Sequence, residues 1–161
     1  MDKVTFFVPG RPRPQGSMKT FPHPKTGKPV YVPMSKYLKP WRRDVAWAAN
    51  EALEGRMIYG GTSLTLIFTF ERPKAHYRTG RYSHLLRDDA PERHLQDPDN
   101  DKLERAILDA LTGVAYKDDN EVDSGGKLKR WGPRGGIPRM GVEITLRGVF
   151  HGAVQRERKR R

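Results

Sequence analysis

The strongest constraint on the fold is a stretch with helical periodicity in the second half of the chain, over residues 102–112. Its apolar residues recur at i, i+3, i+4, i+7 and i+8, a spacing that forms one stripe along a helix. They are Leu103, Ala106, Ile107, Ala110 and Leu111. Asp101 and Glu104 have the spacing of a capping box at the start, and Gly113 suits the left-handed residue after the end. The sequence therefore predicts an amphipathic helix whose apolar stripe faces a core.

Four other stretches have the composition or the alternation of β-strands. The clearest lies between Ser63 and Phe70, where every second residue is apolar and would share one buried face. Less regular patterns predict three more strands, over residues 4–8, 121–131 and 142–150. A second helix is predicted from an N-cap at Ser35 to Glu54, with Trp41 in the core. The order of these elements indicates a small α/β (α+β) domain, a mixed β-sheet with two main helices on one face.

The chain is strongly basic. Among its 161 residues, 31 Lys and Arg outnumber 19 Asp and Glu, which gives a formal net charge of +12. This excess favours a polyanionic partner, because phosphate backbones attract Lys and Arg whatever the base sequence. We expect a single domain over residues 1–150 and a basic, disordered tail over residues 151–161.

A long segment without clear periodicity, residues 9–34, combines many prolines and glycines with cations. Irregular segments of this length are uncommon unless they are functional or disordered. The segment is therefore either a plain flexible loop or a loop that follows a DNA backbone. In the second case the DNA-binding residues would be Arg11, Arg13, Lys19, Lys25 and Lys28.

Several classes of protein and site are excluded by what the sequence lacks. Without cysteine, the chain forms neither disulfides nor thiolate metal sites. No apolar run approaches the roughly 20 residues that span a bilayer, and the N-terminus has no signal-peptide pattern, so we expect a cytoplasmic protein. His76, His84 and His94 lack metal-ligand spacing and are interpreted as surface residues.

The residues with the clearest chemistry are five aspartates around the predicted helix. Asp97, Asp99 and Asp101 alternate directly before it, and in an extended segment they would project together. Asp118 and Asp119 follow the helix, where a turn of the chain would bring Asp119 beside the first group. Like charges this close repel unless a cation lies between them, and Mg²⁺ prefers oxygen ligands. The pattern favours a divalent metal site, although each aspartate alone would also fit a cap or a turn.

A metal site in a basic chain suits the hydrolysis of a phosphodiester. Bound Mg²⁺ lowers the pKa of water, orients the phosphate and stabilises the leaving oxygen. A nearby cation offsets the charge that develops around phosphorus. The candidate cations are Lys102, Arg105 and Lys129.

At these residues the chain resembles the RusA-type Holliday junction resolvases, which are endodeoxyribonucleases of bacteria and many phages. The shared motif is an Asp-x-Asp pair, a spacer, a basic residue, Asp-Ala-Leu and a later Asp-Asp. Here it reads Asp99-Asn100-Asp101, Arg105, Asp109-Ala110-Leu111 and Asp118-Asp119. The resemblance spans residues 4–147 and is sharpest over 97–122. It implies a RusA-like fold, and a homodimer that cuts four-way DNA junctions by paired symmetric nicks with Mg²⁺ or Mn²⁺ and leaves 5′-phosphate ends.

The resemblance also implies site residues, carried over by position. The three metal-binding carboxylates would be Asp99, Asp101 and Asp119. The family's motif lysine falls at Arg105, whereas Lys102 stands where the family usually has asparagine, so either of the two is the catalytic cation. Lys129 resembles a further lysine of the family near the site.

A second register of the motif takes Asp97 and Asp99 as the pair and restores the asparagine at Asn100. It would place two extra residues in the predicted helix and rotate the apolar stripe. The register anchored on the helix is therefore preferred, and Asp97 remains the alternative to Asp101.

Two other functions remain as alternatives. A restriction-like nuclease would use Pro98-Asp99 as the first half of its signature, but no Asp/Glu-x-Lys follows on a suitable strand. A non-catalytic, basic DNA-binding or architectural protein explains the charge. It leaves the acidic cluster unfavourable, because carboxylates repel phosphate unless a metal intervenes.

Overall fold

The structure is a computed structural model, and it describes residues 1–16, 18–33 and 35–152. Its strands are β1 (Asp2–Pro9), β2 (Met18–Pro22), β3 (Pro29–Pro33), β4 (Met57–Glu71), β5 (Val122–Gly132) and β6 (Gly141–His151). Four of them form the main sheet in the order β1-β6-β4-β5, in which only β4 and β5 are parallel to each other. Helices α1 (Leu38–Leu53) and α2 (Asn100–Leu111) contact each other and lie against β1 and β5, respectively. The predicted α+β class is confirmed.

The core forms where the helices cover the central strands of the sheet. The alternation in β4 is confirmed, since one side of the strand is buried along its length by Leu64, Leu66, Phe68 and Phe70. The neighbouring strand β6 adds Val142, Ile144 and Leu146. Each large apolar side chain that is fully buried contributes about 1.5–3 kcal/mol relative to exposure. The central strands therefore provide a rigid support for the segments at the edge of the sheet.

The edge strand β5 confirms the prediction for residues 121–131, displaced by one residue at each end. It approaches β4 so closely at Gly125 that a Cβ atom there would lie 1.7 Å from the carbonyl oxygen of Leu64. Gly125 also has a φ of +134°, which side chains rarely tolerate. The glycine therefore allows β5 to pair in parallel with β4 and to reach the residues before α2.

Helix α1 has the predicted core face, but its predicted cap is wrong. Leu38, Trp41, Val45, Ala49 and Leu53 are buried at helical spacing. The N-cap is Tyr37, which makes no capping side-chain bond. Ser35 lies two residues earlier, where its hydroxyl accepts a hydrogen bond from the backbone N–H of Tyr37 at 3.3 Å. Ser35 thus stabilises the turn before the helix, because the chain enters the helix later than the predicted cap.

Helix α2 buries all five residues of the predicted stripe and is followed, as predicted, by a left-handed Gly113. Its start differs from the prediction. The helix begins at Asn100 with Asp99 as N-cap, so Asp101 lies within the first turn and the predicted capping box is wrong. The acidic side chain within the first turn still stabilises the positive end of the helix dipole.

The segment over residues 9–34 is not irregular throughout. Strands β2 and β3 form an antiparallel hairpin in which Phe21 pairs with Val30 and Thr20 with Tyr31. Two backbone bonds close its turn, from His23 N–H to the carbonyl of Lys28 at 2.8 Å and from Gly27 N–H to the carbonyl of His23 at 2.9 Å. The frequent prolines concealed this hairpin from sequence analysis, because proline is rare inside strands.

Helices of the described residues are too short and too polar to cross a membrane. The predicted basic tail falls almost entirely on residues 153–161, which lie outside the described residues.

Candidate active site

The two acidic segments of the predicted site flank α2 in the sequence, one at the start of the helix and the other after its end. Asp99 caps the helix and Asp101 belongs to its first turn, and both carboxylates are exposed. Asp119 opens a short 3-10 turn, residues 119–121, which leads into β5 and contacts α2. The extended, alternating arrangement predicted for Asp97, Asp99 and Asp101 is wrong, because the helix begins before Asp101.

Tyr116 connects the turn after α2 to the helix itself. Its side chain is buried, and its hydroxyl donates a hydrogen bond to the carbonyl of Leu108 at 3.2 Å. Burial raises the pKa of Tyr116, and the negative charges of Asp119 and Asp109 raise it further. The charge of Asp119 therefore acts on Tyr116 in the loop after α2, and the hydroxyl of Tyr116 connects this loop to the last turns of the helix.

Lys127 is the main cation that contacts the acidic residues at the start of α2. From β5 its ammonium donates to Asp101 Oδ1 at 2.8 Å and also to Glu104 Oε2. The hydrogen bond from Lys127 lowers the pKa of the Asp101 carboxyl, and those to Asp101 and Glu104 raise the pKa of Lys127. This contact neutralises two carboxylates at once, and sequence analysis did not include Lys127 among the site residues.

Lys129 lies two residues further along the same face of β5. Its ammonium donates to the backbone carbonyls of Gln96 and Pro98, the second at 2.8 Å. These bonds hold the segment that leads to Asp99. The lysine that resembles a family lysine is thus beside the acidic residues, and its contacts are with backbone oxygens.

The other two candidate cations project from α2. Lys102 forms an ion pair with Asp99, with 3.4 Å between Nζ and Oδ2. Arg105 is exposed, and its charge contributes to the lowered pKa of Asp101. Asp109 of the Asp-Ala-Leu motif lies instead toward α1, where Arg42 Nη2 approaches its Oδ2 at 3.9 Å.

The oxygen atoms around α2 have the chemistry that a hard divalent cation requires. Besides the exposed Asp99, Asp101 and Asp119, two buried oxygens lack any hydrogen-bond partner, Asn100 Oδ1 and Glu121 Oε2. Buried polar atoms without a partner are rare and call for an explanation such as an ion. Among the described residues, however, no three His, Asp or Glu side chains form a ready ligand set. The donors fit a hard divalent cation in kind.

His94 differs from its prediction as a surface residue. Its ring is 5% exposed, stacks on Trp131 with 3.8 Å between ring centroids and meets the edge of Phe70. Burial lowers the pKa of His94 to about 4, and the nearby charge of Lys129 acts in the same direction. His84 is exposed as predicted, whereas His76 is partly buried against Trp131.

The predicted DNA-binding residues lie on one continuous segment that begins beside the acidic residues. Arg11 and Arg13 follow β1, where the backbone N–H of Gln15 donates to the carbonyl of Lys102 at 2.9 Å. Lys19, Lys25 and Lys28 are exposed on the hairpin. The sequence contains no Asp or Glu between Asp2 and Asp44. The segment from Arg11 to Lys28 therefore carries only positive side-chain charges, and at Gln15 it contacts the first turn of α2.

Exposed carboxylates at a helix start, flanked by lysine and arginine in a small basic α+β fold, are compatible with a phosphodiester-cleaving enzyme. A family model described as "Endodeoxyribonuclease RusA" matches residues 9–145 of this chain. The chain belongs to the RusA endodeoxyribonuclease family, whose activity is the resolution of Holliday junctions and whose substrates are branched DNA. The search of curated proteins found no relative that matches.

Proposed function

We propose that this protein is a divalent-metal-dependent resolvase that cuts four-way DNA junctions by paired, symmetric nicks and leaves 5′-phosphate ends. The observation that carries the proposal is the group of oxygen donors at the start of α2 in a chain of the RusA family. Exposed Asp99 and Asp101 lie beside the unpartnered Oδ1 of Asn100, with cations on α2 and β5 around them.

Mg²⁺, or Mn²⁺ in its place, would be held by Asp99, Asp101 and Asp119. When bound, it supplies activated water and stabilises the leaving oxygen. The side chains of Asp99 and Asp101 are 61% and 83% exposed, so they rotate toward a cation at little cost in packing. Asn100 and Glu121 add the two buried oxygens that lack partners.

The cations around the site have separate roles in this proposal. Lys127 compensates Asp101 and Glu104 before the metal binds, so that the carboxylates do not repel the approaching DNA. Lys102 and Arg105 extend from the same helix and offset the charge that develops on the phosphate. Lys129 holds the backbone before Asp99 and so positions this carboxylate.

The basic segment would position the junction. Arg11 and Arg13 start beside α2, and Lys19, Lys25 and Lys28 continue this positive surface along the hairpin. Phe21 and Tyr31 are exposed on the hairpin among these cations. Aromatic rings interleaved with cations suit contact with both unstacked bases and phosphates.

The proposed assembly is a homodimer. A four-way junction contains two equivalent strands to be cut, and two copies related by a two-fold axis would present one acidic site to each strand. Paired nicks then follow from symmetry, and the DNA ends that remain can be joined by a ligase.

A cleavage assay tests this function directly. A synthetic four-way junction and a linear duplex of matched sequence are incubated with the protein, with and without Mg²⁺. We expect nicks in the junction alone and only with metal. Asp99→Asn and Asp101→Asn should each abolish cleavage while junction binding is retained. Asp97→Asn should still cleave the junction, and this difference separates the two registers of the motif.

Asp88→Asn is the matched control, since Asp88 is an exposed carboxylate that pairs with Arg78 away from α2. It should cut at the rate of the unmodified protein. Junction cleavage at that rate by Asp99→Asn or Asp101→Asn would overturn the assignment of the site. Binding without cleavage under all metal conditions would favour a non-catalytic DNA-binding protein.

A further inference from the structure

A cleft opens at the carboxyl ends of the parallel strands β4 and β5, where Asp97 is the one member of the acidic group that lines it. It has a volume of about 320 Å³ and is called here the Trp131 cleft. Its walls include Arg11, Arg72, His94, Gln96, Trp131 and Arg134. Pockets that bind small ligands or single groups begin at roughly this size.

The floor of the Trp131 cleft is rigid and contains an unpartnered polar atom. His94 stacks on Trp131, whose indole N–H donates to the carbonyl of Arg93 at 3.2 Å. His94 is 5% exposed, and its Nδ1 makes no hydrogen bond with any described group. A buried ring nitrogen that lines a cleft and lacks a partner is placed to bind a polar group of a ligand.

Three guanidinium groups give the cleft a positive wall. Arg72 is fixed, since its Nη1 donates to the carbonyl of Pro91 at 2.7 Å. Within the described part of the chain, neither Arg11 nor Arg134 forms an ion pair. Two carboxylates also line the cleft, and one of them, Glu71, accepts a hydrogen bond from the backbone N–H of Gly135 at 3.3 Å. Arginines therefore outnumber carboxylates, and two of them are available for an anion.

The position of the cleft relates it to the acidic site. Lys127, Lys129 and Trp131 are every second residue of β5, so they share one face. Their hydrogen-bond partners are Asp101, Pro98 and Arg93, respectively, so successive residues of β5 contact positions progressively earlier than α2. Two residues of a strand span about 7 Å, so Trp131 lies one such step beyond the lysine that holds the backbone before Asp99. A DNA strand that leaves the acidic site along β5 would reach this cleft within a step of one or two nucleotides.

We propose that the Trp131 cleft binds a phosphodiester group of the DNA strand that is cut, one or two nucleotides from the phosphodiester that is hydrolysed. Arg11 and Arg134 bind the phosphate oxygens, and His94 donates from Nδ1 to the same group. Guanidinium groups are suited to this ligand because their planar donors match phosphate geometry. This inference rests on the proposed function, because the DNA strand held in the cleft is taken to continue from the acidic site where it is cut.

The test measures binding of a four-way junction without metal, in EDTA, so that no cleavage occurs. The dissociation constant is determined at several salt concentrations for the unmodified protein, Arg134→Ala and Arg11→Ala. Each variant should bind about tenfold more weakly at physiological salt and reduce the slope of log K against log salt by about one phosphate contact. The control is Arg43→Ala, which removes the same charge from an exposed residue of α1 that pairs with Asp44 outside the cleft. Its affinity should change by less than about twofold.

A second variant, His94→Phe, keeps an aromatic ring beside Trp131 and removes both ring nitrogens, Nδ1 among them. It should weaken junction binding about threefold or more while its thermal midpoint stays near that of the unmodified protein. Arg134→Ala and His94→Phe proteins that bind as tightly as the unmodified protein at every salt concentration would overturn the proposal. This outcome is distinct from failure of the proposed catalytic site, which is judged by cleavage in Asp99→Asn and not by binding in EDTA.

Discussion

Among single residues, Lys127 determines the electrostatics of the acidic site before any metal binds. Its ammonium lies between Asp101 and Glu104, in the position that a bridging cation would occupy. A divalent ion that binds Asp101 must therefore displace this contact. Lys127 neutralises the two carboxylates and, under the proposed function, would compete with the metal for Asp101.

This competition gives a prediction for Lys127→Met. The variant should bind Mn²⁺ more tightly, by about threefold to tenfold, because Asp101 and Glu104 lose their compensating charge. Isothermal titration of the protein with Mn²⁺ measures the change. Lys3→Met, which removes an exposed lysine from β1 at the opposite edge of the main sheet, serves as control and should leave the affinity unaltered. Equal Mn²⁺ affinity for Lys127→Met and the unmodified protein would contradict the competition.

His94 predicts how stability depends on pH. Its pKa falls from the ordinary histidine value of 6.5 to about 4 in the folded protein, so between these pH values the unfolded chain binds more protons. The stabilisation is complete above pH 6.5 and is lost as the pH falls toward 4. From pH 7.5 to pH 5 the protein should lose about 2 kcal/mol through this residue.

Urea unfolding at pH 7.5, 6 and 5 measures this loss. His94→Phe should lack most of the decrease between pH 7.5 and 5, since a phenyl ring does not titrate. His84→Phe, at an exposed histidine, should keep the pH dependence of the unmodified protein. Identical pH profiles for His94→Phe and the unmodified protein would show that another group is responsible.

Sequence analysis at this scale identified residues by type and spacing, and it failed where the partner is distant in the chain. Asp99, Asp101 and Asp119 were selected because their pattern is local, and their role as metal ligands stays a prediction. Lys127 was missed because its two carboxylate partners lie 26 and 23 residues earlier. His94 was misjudged because its burial depends on Trp131, which only the β-sheet brings beside it.

Among the elements, α2 connects the core to the site most directly. Its buried stripe fixes the orientation of the helix, and this orientation places Asp101 and Glu104 toward Lys127 on β5. Helix packing therefore determines whether the carboxylates and the cations meet.

Leu103 tests this dependence, because it is fully buried in the first turns of α2. Leu103→Ala should destabilise the protein by about 2–5 kcal/mol, through lost burial and the cavity that remains. Chemical denaturation measures the loss. Leu95→Ala is the control, since Leu95 is 80% exposed just before the helix, and it should change stability by less than about 0.5 kcal/mol. Similar losses for the two variants would argue against the packing described for α2.

Periodicity predicted most elements, and local backbone geometry determined the rest. The stripe of α2 and the alternation of β4 and β6 follow from apolar spacing, whereas β1 and β5 were predicted from less regular patterns. The starts of both helices were displaced, because the residues at the observed N-caps, Tyr37 and Asp99, make no capping side-chain bond and so do not match the capping pattern used for the prediction. The hairpin of β2 and β3 was missed because prolines are frequent in it and because residues 19–22 and 29–32 are all exposed, which leaves no apolar alternation to detect there.

In the molecule as a whole, one long part of the sequence carries only positive side-chain charges, and the aspartates of the candidate site lie in another part. The 41 residues between Asp2 and Asp44 hold basic residues without a single Asp or Glu, whereas the acidic oxygens gather around α2. A uniformly basic surface would attract DNA in any orientation. The segregated charge instead favours an orientation in which the hairpin and the acidic site face the same junction.

The last prediction separates this specific placement from net charge alone. A triple variant, Lys19→Ala/Lys25→Ala/Lys28→Ala, removes three positive charges from the hairpin. Truncation after residue 154 removes five basic residues and one acidic residue of the C-terminal tail, a net loss of four. If binding depended only on total charge, the truncation would be at least as harmful as the triple variant.

We expect the opposite, a decrease of about tenfold or more in kcat/KM on four-way junctions for the triple variant, because its lysines position the DNA. The truncated protein should show weaker binding at high salt and an unchanged kcat. A truncated protein that no longer nicks junctions, beside a triple variant with full activity, would place the productive DNA contacts on the tail and not on the hairpin.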